Sequence, residues 1–356
     1  MNRFYVPFLI ASLSIPGSSW AQKDVKWHPG HYALTIDHSL LSMGHNPAAA
    51  ARFERWVASL PDEITGVQSG AYWSTLEPQK DRYDLSIIEE QLRICAKYKK
   101  RLFLTVSEKQ FGTSDVPVPD YIVSDPQYRD GLVTFTDMPV TQARIWDPAV
   151  LGRFNRLLVQ MGKRFDQEPY FEGVEFVETA LRLDYKREKY DPAKYISSLK
   201  KRLAAAKKAF PTSVVIQETN WIPGAGPGDF ADFFRFCHGI GVGIGGPDLI
   251  PDAERAAERP RIPAYEFFPA YAGKMPLASD VQSPEYQGRF GKGIFFGTLT
   301  PQGIFDMGVN TLKLNYIFWA ACDWKNTDFT FSGDVLPYIR RMKGRMNTGR
   351  PANLKP

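Results

Sequence analysis

Eight short β-rich apolar runs, separated by amphipathic stretches, leave few folds open to this 356-residue chain. The runs are His31 to Asp37, Gly66 to Trp73, Arg101 to Ser107, Phe171 to Glu178, Ser213 to Asn220, Gly239 to Gly245, Met275 to Val281 and Thr311 to Trp319. Helical periodicity fills Ala48 to Leu60, Ser86 to Tyr98, Pro148 to Phe165, Pro192 to Phe210 and Asp229 to His238. Strands alternating with helices build a parallel sheet. Eight of them in about 300 residues predict a single α/β domain, a (β/α)8 barrel with extended βα loops. A doubly wound open sheet is the alternative. No strand is followed by a G-x-G-x-x-G phosphate loop, and "GIGVGIGG" (Gly239 to Gly246) reads as the strand itself. The segments Phe111 to Trp146 and Gly246 to Pro263 follow the third and sixth strands, where barrel loops shape substrate sites.

The N-terminus has Arg3, an apolar run from Val6 to Pro16, and small residues ending Ser19-Trp20-Ala21. This pattern predicts a signal peptide over residues 1–21, cleaved near Ala21, and one catalytic domain over 22–356. The protein is expected in the periplasm or secreted. No run is long enough for a membrane span. Cys95, Cys237 and Cys322 are odd in number, far apart and without metal spacing. The 44 basic and 39 acidic residues are dispersed, and "LKKRLAAAKK" (Leu199 to Lys208) reads as the wet face of a helix, so no nucleic-acid partner is expected.

Catalytic groups of a barrel stand at the C-terminal ends of its strands. Here those ends offer Asp37 and His38, Trp73, Glu108, Glu178, Glu218 with Asn220 and Trp221, Asp248, Asp280 with Gln282, and Trp319 with Asp323 and Trp324. Carboxylates, amides and indoles with almost no Lys or Arg suit a neutral polyhydroxy ligand. Two carboxyl groups across such a site suit glycoside hydrolysis, one as acid and one as nucleophile or base. Glu178, flanked by Phe176 and Val177, is the expected acid, its apolar neighbours favouring the protonated form. The competing reading is a strand-end Glu paired with an Arg such as Arg182. Glu175, on the opposite face by alternation, reads as structural. Glu77, beside Pro78 in a turn, reads as a loop anchor. His28, His31, His38 and His45 match no ligand spacing, so neither metal nor cofactor is expected.

The stretch "WSTLEPQKDRYDLSIIEEQLRICAKYKKRLFLTV" (Trp73 to Val106) resembles the second strand, second helix and third strand of clan A glycoside hydrolases, the β-galactosidase-like and endo-glycanase-like barrels. It covers about a tenth of the chain, and strand order extends the likeness over the rest. The resemblance implies an acid/base at the end of the fourth strand, Glu178 in "GVEFVETAL", and a nucleophile at the end of the seventh, Asp280 in "KMPLASDVQ". It also implies a sugar platform at Trp319. The sequence departs from the family pattern in having Val177 before Glu178 and Asp rather than Glu at 280. Glu218 is the rival second carboxylate, and retention and inversion both stay open, distinguished by carboxyl separations of about 5 Å against roughly 6.5–9.5 Å.

The sequence thus predicts an exported glycosidase acting on a poly- or oligosaccharide, most simply with retention. Asp37, His38, Glu108, Asn220, Gln282, Asp323 and the rings of Trp73, Trp221, Trp319 and Trp324 are expected to bind sugar. An inactive carbohydrate-binding barrel and a metal-dependent polysaccharide hydrolase or deacetylase are the other readings.

Overall fold

Alternation along the chain closes into the expected barrel. The computed structural model describes residues 24–35, 46–111, 116–129, 131–251, 262–290, 294–295 and 297–354. The signal-peptide segment, Asp37, His38 and His45 lie outside the described residues. Eight parallel strands follow in order: β1 (Gly30–Leu34), β2 (Ile64–Tyr72), β3 (Arg101–Ser107), β4 (Phe171–Phe176), β5 (Val214–Glu218), β6 (Gly243–Gly245), β7 (Ala278–Val281) and β8 (Tyr316–Ala320). Each pairs with its sequence neighbour, and β8 returns to β1. The seam between β6 and β7 is closed by an Ile244–Leu277 bridge, with Gly246 N–H donating to Ala278 O (3.1 Å) and Asp280 N–H to Gly246 O (2.9 Å).

Among the described residues, five helices of twelve or more residues cover the outside: α1 (Pro47–Ser59), α2 (Ser86–Lys97), α3 (Pro148–Phe165), α4 (Pro192–Ala209) and α5 (Pro227–Gly239). Three begin alike. Asn46, Asp147 and Asp191 each precede a proline, and each side chain accepts from a backbone N–H of the first turn. Proline at the first helical position sacrifices no hydrogen bond, and the cap satisfies an otherwise orphaned donor. After β6 the helical layer is made of shorter turns, including Pro263–Tyr271 and Ser283–Gln287.

Because helices cover the sheet and side chains fill the barrel, strands are buried on both faces. The interior carries Tyr32, Phe103, Val214, Ile216, Ala278, Tyr316 and Phe318, a core separate from the larger strand–helix layer. With period two, this fixes which residues look inward: Gln68, Glu175, Glu218 and Asp280 do, whereas Phe176, Val281 and Trp319 look toward the helices. The region after β3 is no open loop. Lys109–Phe111, Val140–Ala143 and Leu132–Thr134 form a small antiparallel sheet beside the mouth.

Candidate active site

The C-terminal mouth of the barrel holds a cavity of about 260 Å³. Strand ends supply its wall, and Lys109, Phe111, Val177, Glu218, Asp280 and Gln282 bring the chemistry. Glu175 lies in the barrel with Glu218 and Asp280, and one oxygen from each is within 4.8 Å of the others. Gly245 makes room for this: a methyl group there would sit 3.0 Å from Glu175 Oε1. Gln68 Nε2 donates to Glu175 Oε2 and reaches Asp280 Oδ1 at 3.5 Å. Among the described residues, Glu175 Oε1 and Gln68 Oε1 have no partner.

Burial first, and mutual repulsion second, push all three carboxyls well above the ordinary carboxylate range. Asp280 and Glu178 are the charges that press on Glu218, and Glu175 presses on Asp280. Glu218 and Asp280 are close enough to share a side-chain hydrogen bond, a contact that raises the Glu218 pKa and lowers that of Asp280. The arrangement is a pair of buried, adjoining carboxyls at the wall of a cavity, in surroundings that favour their protonated forms. This trio is also the described set whose spacing suits a hard divalent cation.

Glu178 stands two residues beyond β4, and its surroundings are polar. Phe176 turns outward onto Phe154 and Arg202, so it gives Glu178 no apolar pocket. Instead Asn220 Nδ2 donates to Glu178 Oε2 (2.6 Å), and Lys109 Nζ is 3.6 Å from Oε1. The cation beside Glu178 is thus Lys109, while Arg182 pairs with Asp137. Lys109 is fully buried, donates to the carbonyls of Glu178 (2.9 Å) and Ala180 (3.0 Å), and burial lowers its pKa. It is the group that strand-end reasoning missed. It sits two residues past the expected end of β3, on the hairpin "KQF", and it corrects the expectation of a mouth with almost no cations.

Other expected sugar contacts fall elsewhere. Trp319 is fully buried in the strand–helix layer, its Nε1 donating to His31 Nδ1 (3.0 Å), so it offers no platform. Trp73 is likewise fully buried, edge-on to Phe154, with Nε1 donating to Glu77 Oε2 (2.8 Å). Both are strand-end residues by position but face the helices. Glu77 is the loop anchor the turn implies: it accepts from Trp73, Asp81 N–H and Arg153. Glu108 is buried in an ion pair with Arg202, which also donates to Gln217 (2.5 Å), so it is spent on structure. Asp323 accepts from Ser332, and Trp324 packs edge-on to Tyr286. Gln282 donates to Pro247 O (2.8 Å) and lines the cavity. Half-buried Trp221 follows Asn220, whose Oδ1 accepts from its backbone N–H. The aromatic rings that do line the cavity are Tyr72 and Phe111, the latter 47% exposed. His28 is tied to Glu172 and His31 to Trp319, so these two do not form a metal site together.

Fold and mouth together define a (β/α)8 barrel with an acidic C-terminal centre, and solved structures similar to it include glycoside hydrolases. The catalytic domain of β-amylase from Paenibacillus polymyxa matches at TM-score 0.62 and 9% identity, over 90% of this chain and 100% of that one. A GH5_18 variant from Bifidobacterium longum subsp. longum, in complex with Manβ1-4GlcNAc, matches at 0.57 and 13%, over 92% and 86%. The cold-adapted β-galactosidase from Rahnella sp. R3 matches at 0.54 and 11%, over 90% and 56%. At these identities the likeness establishes the fold. No protein-family model matches the sequence, and neither does any curated protein.

Proposed function

We propose that the protein is a glycoside hydrolase in which Glu178 and the Glu218–Asp280 pair supply the two carboxyl functions. The observation that carries this is the adjoining pair of buried carboxyls, Glu218 and Asp280, at the wall of the mouth cavity, where burial and neighbouring carboxyls favour the protonated form. A general acid needs a carboxyl that is still protonated near neutral pH, and burial beside a second carboxyl provides one. Glu218 gives its proton to the departing glycosidic oxygen as the C1–O bond breaks, and Asp280 steadies that proton until transfer. Glu178, held by Asn220 and Lys109, is aligned as the opposing carboxylate. Attack of Glu178 on C1, then hydrolysis of the glycosyl ester by water, gives retention.

This exchanges the roles carried over from the clan A resemblance, where Glu178 is the acid and Asp280 the nucleophile. Leaving groups separate the two arrangements. Removal of the acid spares aryl glycosides with good leaving groups, because they need little protonation; removal of the nucleophile slows all substrates, and azide rescues it. The reading expects Glu218→Gln to behave in the first way and Glu178→Gln in the second, with the product anomer read by NMR. Wild-type protein that hydrolyses no member of a panel of exopolysaccharides, plant glucans and aryl glycosides would overturn it. The same reading places the enzyme in the periplasm or medium after cleavage near Ala21, which N-terminal sequencing of the exported protein tests.

A further inference from the structure

A second concave site lies on the rim of the barrel, away from the mouth. Its walls come from four pieces of chain: Arg129, Arg144, Arg187 with Lys189, and Lys194 with Lys201 on α4. The space they enclose is about 760 Å³, and only Asp147 and Glu188 bring negative charge. Glu188 is already engaged, by Arg144 Nη2 (2.6 Å) and Arg187 Nη2 (2.8 Å). Asp147 caps α3 by accepting from Ala149 and Val150 N–H. The side chains of Arg129, Lys189, Lys194 and Lys201 are exposed and have no carboxylate partner among the described residues. The buried Nε of Arg144 has none either.

This is more than the wet face of one helix. Six cations and two occupied carboxylates leave a net charge of +4 (6 − 2) in a single concavity, where field lines from the walls add. Its position ties it to the mouth. Arg144 directly follows the last strand of the small sheet that begins at Lys109, and Arg187 to Lys189 lie on the segment after β4 that carries Glu178. Both loops run from the candidate catalytic residues to the cleft. At the mouth, the cation Lys109 is buried beside the cavity.

We infer that the rim cleft binds an anionic glycan, a chain bearing carboxylate or sulfate groups, and so sets the substrate class of the enzyme as acidic polysaccharide. This rests on the glycosidase reading and replaces the neutral ligand that the strand ends alone imply. Guanidinium and ammonium groups drawn from four pieces of chain into one concavity suit a ligand with repeated anionic substituents, and the affinity they provide is screened by salt.

The test measures binding of mature protein to polygalacturonate, dextran sulfate, unmodified dextran and duplex DNA by affinity electrophoresis at two salt concentrations. The triple variant Arg129→Glu/Lys194→Glu/Lys201→Glu changes three exposed side chains, and circular dichroism checks its fold. The expected result is retention by an anionic glycan, weakened about tenfold or more in the variant and by added salt, with dextran unbound. Preference between polygalacturonate and dextran sulfate identifies carboxylate or sulfate as the anion. The inference is overturned by equal binding to dextran, by a variant that binds as wild type does, or by duplex DNA bound as tightly as either glycan. Should the variant misfold, Lys194→Gln and Lys201→Gln taken singly give the same readout, each expected to weaken binding by about twofold. Binding without hydrolysis of any glycan would remove the enzymatic reading and leave the cleft; hydrolysis of neutral glycans with no polyanion binding would do the reverse.

Discussion

Glu172 and Glu175 stand three residues apart on β4, both fully buried, and the barrel treats them in opposite ways. Glu172 is surrounded by donors: His28 N–H and Nδ1 (2.8 Å each), Tyr316 OH (2.9 Å), and Arg101 at 3.6 Å. Glu175 has one amide from Gln68, an oxygen with no partner, and two other carboxyls for neighbours. A buried carboxyl surrounded by donors is part of the scaffold; one left among other carboxyls is pushed toward its protonated form. The floor of the barrel has spent its carboxylate on structure, and the mouth has kept its carboxyls for chemistry.

Four substitutions test that contrast. The largest effect is expected at the mouth, where Asp280→Asn should lower kcat by about a thousandfold while the protein stays folded, measured on the best substrate found. Activity near wild type in that variant breaks the contrast. At the floor, Glu172→Ala strands His28, Arg101 and Tyr316 without their acceptor and should cost about 3 kcal/mol in chemical denaturation. Its kcat per folded molecule should be unchanged. Trp319→Phe removes the hydrogen bond to His31 and some packing, for about 2 kcal/mol, again with activity retained. A large loss of activity there would restore Trp319 as a sugar platform.

The smallest and most informative change is Glu175→Gln, which keeps an acceptor for Gln68 and removes a titratable group. Glu175, Glu218 and Asp280 all have folded-state pKa values above their ordinary ones, so between those two limits the folded state binds more protons than the unfolded. Stability is then full below the ordinary carboxylate range and falls as pH rises through it toward the raised values. Glu175→Gln should flatten this slope and gain about 1 kcal/mol near neutral pH. It should also ease ionisation of Asp280, because a group that raises the Asp280 pKa is gone, and so alter the pH–rate profile of the Glu218–Asp280 pair. An unchanged slope and profile would make Glu175 a structural residue after all.

Much of the fold was legible. All eight strand candidates overlap barrel strands, and the Asn-Pro and Asp-Pro starts of α1, α3 and α4 carry their own capping chemistry. Glu218 and Asp280 were found because a strand end at the right parity points into the mouth. Alternation correctly set Glu175 opposite Phe176, but it could not say which face was the interior. In a barrel both faces are buried, and apolar residues occupy each. Gly173, Glu175 and Gly245 share the inner side, and a polar residue among such small ones was the available signal. The same one-residue parity sent Trp73 and Trp319 to the helix layer. Lys109 escaped notice because it belongs to the antiparallel hairpin after β3, which strand periodicity in a parallel barrel does not announce.

The proposed acid role of Glu218 requires that the mouth keep a carboxyl protonated near neutral pH. Infrared difference spectra between wild type and Glu218→Gln, taken as pH rises from the ordinary carboxylate range, test it most directly. The carbonyl stretch of a protonated carboxyl is expected in wild type at neutral pH and diminished in the variant. Spectra showing only ionised carboxylates at neutral pH would contradict it.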